Sequence, residues 1–216
     1  MIYTIEIPKD VFRALNKNAK INPFFSKDIV GECVRLVSDY YETTDNPNQK
    51  GWEQYYKDVQ GWDGLYIAFD ALTERLPDLD EMTIKRYIYH RVLGQTWNGF
   101  AKELMVIHDL NLAFPEATFK RTSFTIDHDY CIDAEMYFGE TLILGVQIKP
   151  ESYLMMNTPY QMKAKEGHRA KNERYKEQFA PYLYVYYNED GIKDKPQLMN
   201  QINLYLHYAN SQAPSR

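Results

Sequence analysis

The sequence predicts an α/β fold, in which a helical first half is followed by a second half that contains β-strands. Two observations predict this class. Apolar residues recur at helical spacing through the first half, and after Pro115 the chain changes to near alternation with many β-branched and aromatic residues. The chain has 216 residues, 44% of them hydrophobic, so it is long enough to bury a substantial core.

Charge and cysteine usage exclude several classes of protein. The formal net charge of −5 argues against a protein that coats nucleic acid by bulk positive charge, although a local basic patch is compatible with it. The two cysteines, Cys33 and Cys131, show neither CxxC nor paired-histidine spacing, which argues against a disulfide framework or a structural zinc site. No segment resembles a signal peptide or approaches the ~18 apolar residues of a membrane span, so we expect a soluble, cytoplasmic protein with no membrane partner.

The first half is predicted to form several helices. Ser26 is a candidate cap for one of them, and the polar run after Thr43 is the loop that follows it. Pro77 ends the next helix, Asp80 is a candidate cap for the one after it, and Gly94 is predicted to end that helix. The predicted helices cover about residues 26–41, 64–76, 80–93 and 96–114.

The second half is predicted to contain three strands and two helices. The segment "ATFKRTSFTIDHDYCIDAEMYFG" has the near alternation of a strand, and it is followed by a turn at "GE" and by the apolar strand "TLILGVQIKP", which Pro150 ends. These two strands are predicted to be neighbours. A helix from Lys163 to Gln178, a strand in "PYLYVYYNEDG" and a helix from about Pro196 to Tyr208 complete the predicted order.

Charged and amide residues occupy the two neighbouring strands. Successive side chains on a strand point to opposite faces, so three acids of the first strand are predicted to share one face: Asp129, Asp133 and Glu135. Gln147 and Lys149 likewise share a face of the second strand. An unpaired buried charge is costly, so Asp133 and Lys149 need partners, a metal ion or access to solvent. One interpretation is a plain cross-strand ion pair; the other is a catalytic site.

These residues resemble a known active-site pattern. Asp133, followed after thirteen residues by Gln147-x-Lys149 and preceded by an acid-bearing helix, is similar to the pattern of the PD-(D/E)xK nuclease superfamily. Within that superfamily, "IDAEMYFG", "GVQIKPESY" and "TWNGFAKELMVIHDL" look most like type II restriction endonucleases of the MjaI type. The resemblance covers roughly residues 97–187. It implies a restriction-endonuclease-like fold, with a mixed β-sheet core flanked by helices.

The resemblance also implies a division of the chain and a set of departures from the usual motif. Residues 95–216 would form the nuclease core, and residues 1–94 a helical region that is a candidate for dimerisation or DNA contact. The usual proline before the first acid is Ile132, and the usual second acid is Gln147, which brings no charge. Metal binding would therefore depend more on another acid. Glu103 is the first candidate, and Glu135 and Asp129 are weaker ones.

The chemistry that the resemblance implies is Mg²⁺-dependent hydrolysis of a phosphodiester, which needs an activated water and positive charge near the phosphate. Asp133 would be the central metal ligand, joined by the side-chain oxygen of Gln147, the backbone carbonyl of Ile148 and the carboxylate of Glu103. Lys149 would orient the water or help to deprotonate it. The nearby cation would favour a lowered pKa for Lys149.

A basic segment follows the motif directly. Its cations are candidates for DNA phosphate contacts: Lys163, Lys165, Arg169, Lys171 and Arg174. The alternative is that this helix simply presents a solvated, mixed-charge face. His128, which stands between two acids, is more typical of a surface turn than of a metal site.

The resulting hypothesis is a sequence-specific endonuclease for double-stranded DNA, active as a homodimer and accompanied by a DNA methyltransferase encoded nearby. The aromatic segment "GWEQYYKDVQGWDGLY", residues 51–66, is predicted to supply the dimer surface, unless its rings only cover the core. Because Gln147 replaces an acid, a DNA-binding or assembly module without cleavage is an alternative. A nuclease for branched DNA or RNA is a third.

Overall fold

The chain folds into two units. The structure, a computed structural model, describes residues 7–212, with Gln212 described in its backbone only. The first unit is Met1–Ala101 and the second is Lys102–Arg216. No helix among the described residues is both long and apolar enough to cross a membrane.

The described part of the first unit is helical. A 3₁₀ turn, Asn22–Phe25, follows the first helix, and a π-helical turn, His90–Gly94, follows the sixth. A seventh helix, α7 (Gln95–Ala113), begins in the first unit and continues into the second. The first six helices are α1 (Lys9–Asn16), α2 (Lys27–Val30), α3 (Cys33–Thr43), α4 (Gln49–Gln60), α5 (Asp63–Arg75) and α6 (Glu81–Tyr89).

Two predicted helix boundaries in this unit are wrong. The helix predicted over residues 26–41 is divided into α2 and α3, because Gly31 adopts a φ of +79°, which interrupts helical geometry. Gly94 does not end α6, because the backbone stays helical through the π-helical turn and leads into α7. The predicted start of α6 is confirmed: the Asp80 side chain accepts a hydrogen bond from the backbone N–H of Thr83 at 3.0 Å.

The aromatic segment of residues 51–66 contributes its largest rings to the interior of the first unit. Trp52 and Tyr56 are fully buried. The indole of Trp52 donates to the carbonyl of Leu93 at 3.1 Å, and the hydroxyl of Tyr56 donates to the carbonyl of Val30 at 2.7 Å. These two rings are therefore unavailable for a dimer surface. For the rest of the segment, which includes the exposed Tyr66, the predicted dimer surface stays a prediction.

The second unit contains a five-stranded mixed sheet. Its strand order follows the chain, and every neighbouring pair is antiparallel except β3 and β4, which are parallel. The strands are β1 (Thr118–Arg121), β2 (Ala134–Phe138), β3 (Thr141–Pro150), β4 (Tyr182–Asn188) and β5 (Gly191–Ile192). This mixed sheet, together with the helices around it, confirms the predicted α/β class.

Helices cover the sheet. They are the second part of α7, then α8 (Phe124–Tyr130), α9 (Pro159–Gln178) and α10 (Lys195–Gln212), and a 3₁₀ turn, Glu151–Tyr153, lies between β3 and α9. The main apolar core joins α7 and α10 to one face of β3, and its members include Val106, Leu110, Leu144, Val146, Ile148, Leu198 and Ile202.

The opposite face of β3 carries Gly145, Gln147 and Lys149, as the predicted alternation requires. Tyr175 of α9 packs so closely on this face that a Cβ added to Gly145 would lie 2.5 Å from its ring. Close packing of α9 on the sheet therefore requires glycine at this position.

The long strand predicted over residues 117–139 is instead β1, α8 and β2. The side chain of Ser123 accepts a hydrogen bond from the backbone N–H of Ile126 and so caps α8. Ile126 and Tyr130, which are one helical turn apart, pack against a small core around Ile132 and Tyr175. Local capping and packing therefore outweigh the alternation that predicted a strand.

Candidate active site

Asp133 and Lys149 meet where β2 begins and β3 ends. The ammonium Nζ of Lys149 lies 3.1 Å from Oδ2 of Asp133, and the backbone N–H of Ile148 donates to the same oxygen at 2.6 Å. The backbone N–H of Asp133 donates to the carbonyl of Val146 at 2.9 Å, which continues the pairing with β3 just before β2 starts. Asp133 is only 5% exposed, so this carboxylate is nearly buried and charge-paired.

Gln147 lies on the same face of β3 as Lys149 and is fully buried. Neither its Oε1 nor its Nε2 has a hydrogen-bond partner among the described residues. A buried amide without partners is unfavourable by about 1–3 kcal/mol for each group, so native proteins rarely keep one without a reason. An ion or a water at this point would supply the partner that Oε1 needs.

Ile148 presents a backbone carbonyl to the same region. In a strand, the N–H and C=O of one residue point to the same edge. Because the Ile148 N–H points to Asp133, its carbonyl also faces the side on which Asp133 lies. The structure therefore brings together Asp133, Gln147, Ile148 and Lys149 around the end of β3.

Glu103, on α7, lies in the electrostatic field of this group. The pKa of Glu103 is raised to about 8, mainly by burial and also by the negative charges of Asp133 and Asp127, while Lys149 and Arg121 act in the opposite direction. A carboxyl group in this state would ionise readily if a cation were added beside it. Glu103 is therefore coupled electrostatically to Asp133 and Lys149, in a setting short of positive charge, and its role as a metal ligand stays a prediction.

The sequence-based prediction missed Asp127. This residue lies on α8, its Oδ2 is 3.9 Å from Nη2 of Arg121, and burial followed by the charge of Asp133 raises its pKa to about 6. The pattern that could have identified it is the serine cap at Ser123, which would have turned the predicted strand into a helix. Asp127 and Glu103 both add negative charge to the surroundings of Asp133.

The pKa of Lys149 differs from the sequence-based expectation. Burial acts to lower it, but the charges of Asp133 and Glu103, with the hydrogen bond to Asp133, outweigh burial and raise the pKa. The predicted lowering of the Lys149 pKa was based on a nearby cation and did not include the carboxylates that surround this lysine. In this arrangement Lys149 is a protonated donor.

The two weaker acid candidates lie elsewhere. Glu135 accepts hydrogen bonds from the hydroxyls of Tyr175, at 2.7 Å to Oε1, and Tyr137, at 2.8 Å to Oε2, so both of its oxygens are engaged. Asp129 lies on α8, not on a strand, and its exposed carboxylate contacts the exposed ring of His128 at 2.8 Å. The predicted shared face of Asp129, Asp133 and Glu135 is therefore wrong for Asp129.

The donors around Asp133 suit a hard cation with few protein ligands. Among the described residues, no three His, Cys, Asp or Glu side chains are arranged to hold a metal ion. An ion here would depend on one or two carboxylates, the amide oxygen of Gln147, the carbonyl of Ile148 and water. Mg²⁺ commonly binds in this way, with one or two carboxylates and several waters. The partnerless amide and the excess of carboxylates fit such an ion.

The predicted DNA-contacting cations all lie on α9, but they have different surroundings. Lys163 and Arg169 are exposed. Lys165 donates to the carbonyl of Leu154. Lys171 and Arg174 donate to backbone carbonyls of α8, so these two side chains hold one helix against another.

The fold and the site together define a class: an α/β protein with a largely buried Asp–Lys pair at adjoining strand ends, beside an amide that has no hydrogen-bond partner in the described part of the chain. A profile of the MjaI restriction endonuclease family matches residues 13–199. That match spans most of the 216 residues, and the chain therefore belongs to the MjaI restriction endonuclease family. The resemblance found in the sequence is confirmed at this level. Comparisons with curated proteins and with solved structures gave no match.

Proposed function

We propose that this protein is a Mg²⁺-dependent type II restriction endonuclease that hydrolyses double-stranded DNA at a specific sequence. The observation that carries the proposal is the contact between Asp133 and Lys149, next to the buried amide of Gln147. Membership in a restriction endonuclease family supports the reaction class. A plain cross-strand ion pair would account for Asp133 and Lys149 but not for an amide buried without partners beside them.

Each residue has a distinct task in the proposed reaction. Asp133 would bind the ion, with the side-chain oxygen of Gln147, the carbonyl of Ile148 and the carboxylate of Glu103 as further ligands. When bound, Mg²⁺ supplies positive charge at the scissile phosphate and polarises the attacking water. Lys149, as a protonated donor, would orient that water and stabilise the charge that grows on the phosphate oxygens.

The ion would also relieve an electrostatic imbalance in the protein. Glu103, Asp127 and Asp133 stand against Lys149 and Arg121, so three acids face two cations. Glu103 responds by holding its proton more strongly than an ordinary glutamic acid. A divalent cation would allow Glu103 to ionise and would thereby recruit it as a ligand.

The proposed DNA substrate is supported by exposed cations near the site, and the proposed dimer by the single active site of each chain. The exposed cations of α9, Lys163 and Arg169, would contact DNA phosphates close to the site. One set of Asp133, Gln147 and Lys149 acts on one phosphodiester at a time, so cleavage of both strands would require a twofold-symmetric homodimer on a palindromic sequence. A cognate DNA methyltransferase encoded nearby would protect the host DNA.

The test is cleavage of plasmid and genomic DNA by the purified protein, with Mg²⁺ and with EDTA. We expect discrete fragments only with Mg²⁺, and none from an Asp133→Asn variant that retains its thermal transition. Binding to DNA without cleavage under every metal condition would favour the assembly-module alternative, and cleavage only of branched DNA or RNA would assign a different substrate. Light scattering with a cognate duplex tests the dimer: a monomer that still makes double-strand breaks at an asymmetric site would contradict it.

A further inference from the structure

The C-terminal end of α8 is held by side chains of α9. The last carbonyls of a helix have no partner within the helix and need donors from elsewhere. Lys171 donates to the carbonyl of His128, and Arg174 donates to that of Asp129 at 3.0 Å. The side-chain amide of Asn172 donates to the next two carbonyls, at 3.0 Å to Tyr130 and at 3.1 Å to Cys131.

Asn172 differs from its two neighbours in burial and in connectivity. Lys171 and Arg174 reach their carbonyls from the partly or fully exposed side of α9, whereas Asn172 is fully buried. Its Oδ1 also accepts a hydrogen bond from the hydroxyl of Tyr184 at 2.9 Å. Tyr184 lies on β4 directly opposite Gln147 of β3. One amide group therefore joins the end of α8 to the strand next to Gln147.

The segment that Asn172 contacts leads directly to Asp133. Cys131 adopts a left-handed conformation, with φ 55° and ψ 41°, which is unfavourable for a residue with a Cβ and is kept only where the surroundings enforce it. On the other side of the turn, the hydroxyl of Thr122 donates to the carbonyl of Ile132 at 2.5 Å, and the backbone N–H of Thr122 donates to the carbonyl of Asp133 at 3.2 Å. All four carbonyls from residue 130 to residue 133 thus have a donor.

We propose that Asn172 is a positioning residue that fixes Asp133 against Lys149, by holding the left-handed turn at Cys131 through its two amide hydrogen bonds. The expected effect of Asn172 on catalysis rests on the proposed function. The hydrogen bonds that position Asp133 are present in the protein without metal or DNA. Asn172 does not itself touch the reacting atoms. Its effect passes through the backbone of residues 131–133 to the carboxylate.

The decisive variants keep the size of the side chain and remove its donors. Asn172→Leu replaces the amide with an apolar group, and Asn172→Asp keeps the shape but turns the donor into an acceptor. Asn111→Leu is the matched control, because Asn111 also joins a helix to a strand, donating to the carbonyls of Ile107 and Phe119 and accepting from the N–H of Phe119. Asn111 holds α7 to β1, and its hydrogen bonds among the described residues do not include the turn before Asp133.

The first readout is the Mg²⁺ requirement of DNA cleavage, measured at a temperature where each variant is folded. Loss of a partner that orients a metal ligand typically costs about 10–100-fold in metal affinity or activity. We expect a shift of that size for Asn172→Leu and Asn172→Asp. Asn111→Leu should lower the thermal midpoint and leave the Mg²⁺ requirement unchanged.

The second readout does not depend on cleavage. Acetylation of the Lys149 amine in EDTA, followed by mass spectrometry, reports whether Asp133 still holds this lysine, and exposed Lys195 is the internal reference. We expect slow labelling of Lys149 in the wild type, and several-fold faster labelling in Asn172→Leu and in Asp133→Asn. Asn111→Leu should label at the wild-type rate.

These readouts separate the two levels of inference. A wild-type protein that cleaves no DNA would remove the proposed function, yet faster Lys149 labelling in Asn172→Leu would still support the positioning role. Wild-type labelling and a wild-type Mg²⁺ requirement in a folded Asn172→Leu protein would overturn it. If both Asn172 variants fail to fold, Thr122→Val, which removes the hydroxyl donor on the other side of the same turn, takes their place with the same expected results.

Discussion

Lys149 and the backbone N–H of Ile148 donate to the same oxygen of Asp133, with Nζ to Oδ2 at 3.1 Å and N to Oδ2 at 2.6 Å. One strand thus supplies both a side-chain cation and a backbone donor to a single carboxylate oxygen. If the ammonium turned toward a phosphate in the proposed reaction, the backbone donor would still hold Asp133.

Asp133→Asn and Lys149→Met should each abolish cleavage, with a loss of about 10²–10³-fold or more, because each removes a group that would contact the ion, the water or the phosphate. Lys149→Met should also lower the thermal midpoint, since it leaves the nearly buried Asp133 without its cation. Cleavage rates and thermal denaturation are measured on the same preparations. Lys195→Ala, at an exposed position, is the control. Unchanged cleavage by either folded variant would contradict the site assignment.

Glu103→Gln should raise the Mg²⁺ concentration needed for half-maximal cleavage, by about tenfold, because the ion would lose one carboxylate and the amide of Gln147 cannot replace that charge. Saturating Mg²⁺ should restore most of the rate. The measurement is a metal titration of initial rates. Glu116→Gln, which changes an exposed glutamate of the same unit, is the control. A superimposable titration curve for Glu103→Gln would remove Glu103 from the metal site.

The stability of the metal-free protein should fall with rising pH through ionisation of Glu103. The pKa of Glu103 is raised from the ordinary value of 4.5 to about 8 in the folded chain. The free energy of unfolding is therefore unaffected by ionisation of Glu103 below pH 4.5, where the residue is protonated in both states, and falls as the pH rises toward 8. The advantage in thermal stability of Glu103→Gln over the wild type should therefore grow from pH 4.5 to about pH 8 and level off above it, by roughly 2–4 °C for each kcal/mol regained. Thermal scans in EDTA measure it, and a pH-independent difference would contradict the shift.

Alanine substitution should affect DNA binding at one pair of cations on α9 and thermal stability at another pair. Lys163→Ala and Arg169→Ala should each weaken DNA binding and reduce the salt slope by about one, because each removes a cation that would neutralise one phosphate, without a change in thermal midpoint. Lys171→Ala and Arg174→Ala should instead lower the thermal midpoint, because carbonyls of α8 lose their donors. Fluorescence anisotropy at several salt concentrations and thermal scans distinguish them. Equal salt slopes for all four variants and the wild type would exclude α9 from the DNA interface.

The sequence predicts well those features that depend on neighbouring residues. The alternation along β3 predicted which residues face the apolar core and which face the site, and Asp80 predicted the start of α6. The spacing of Asp133 and Lys149 on neighbouring strands indicated that they meet. In each case the determining interactions lie within a few residues or between adjacent strands.

Features that depend on distant parts of the chain could not be predicted in the same way. The alternation near Asp127 is compatible with a strand, and besides the local cap at Ser123 the end of the helix is held by donors from α9, more than forty positions later. That Gln147 has no hydrogen-bond partner within residues 7–212 is likewise a property of the assembled interior and not of its neighbours in sequence. Burial of Trp52 depends on a carbonyl 41 residues away, at Leu93.

The close approach of Tyr175 to Gly145 has a consequence for how this family can change during evolution. The ring of Tyr175 occupies the space that any larger side chain at position 145 would need, while its hydroxyl engages Glu135. A relative that carries alanine or serine in place of Gly145 should also carry a smaller residue in place of Tyr175. Glu135 would then be released from one of its two phenol donors, so these three positions should diverge together and not singly.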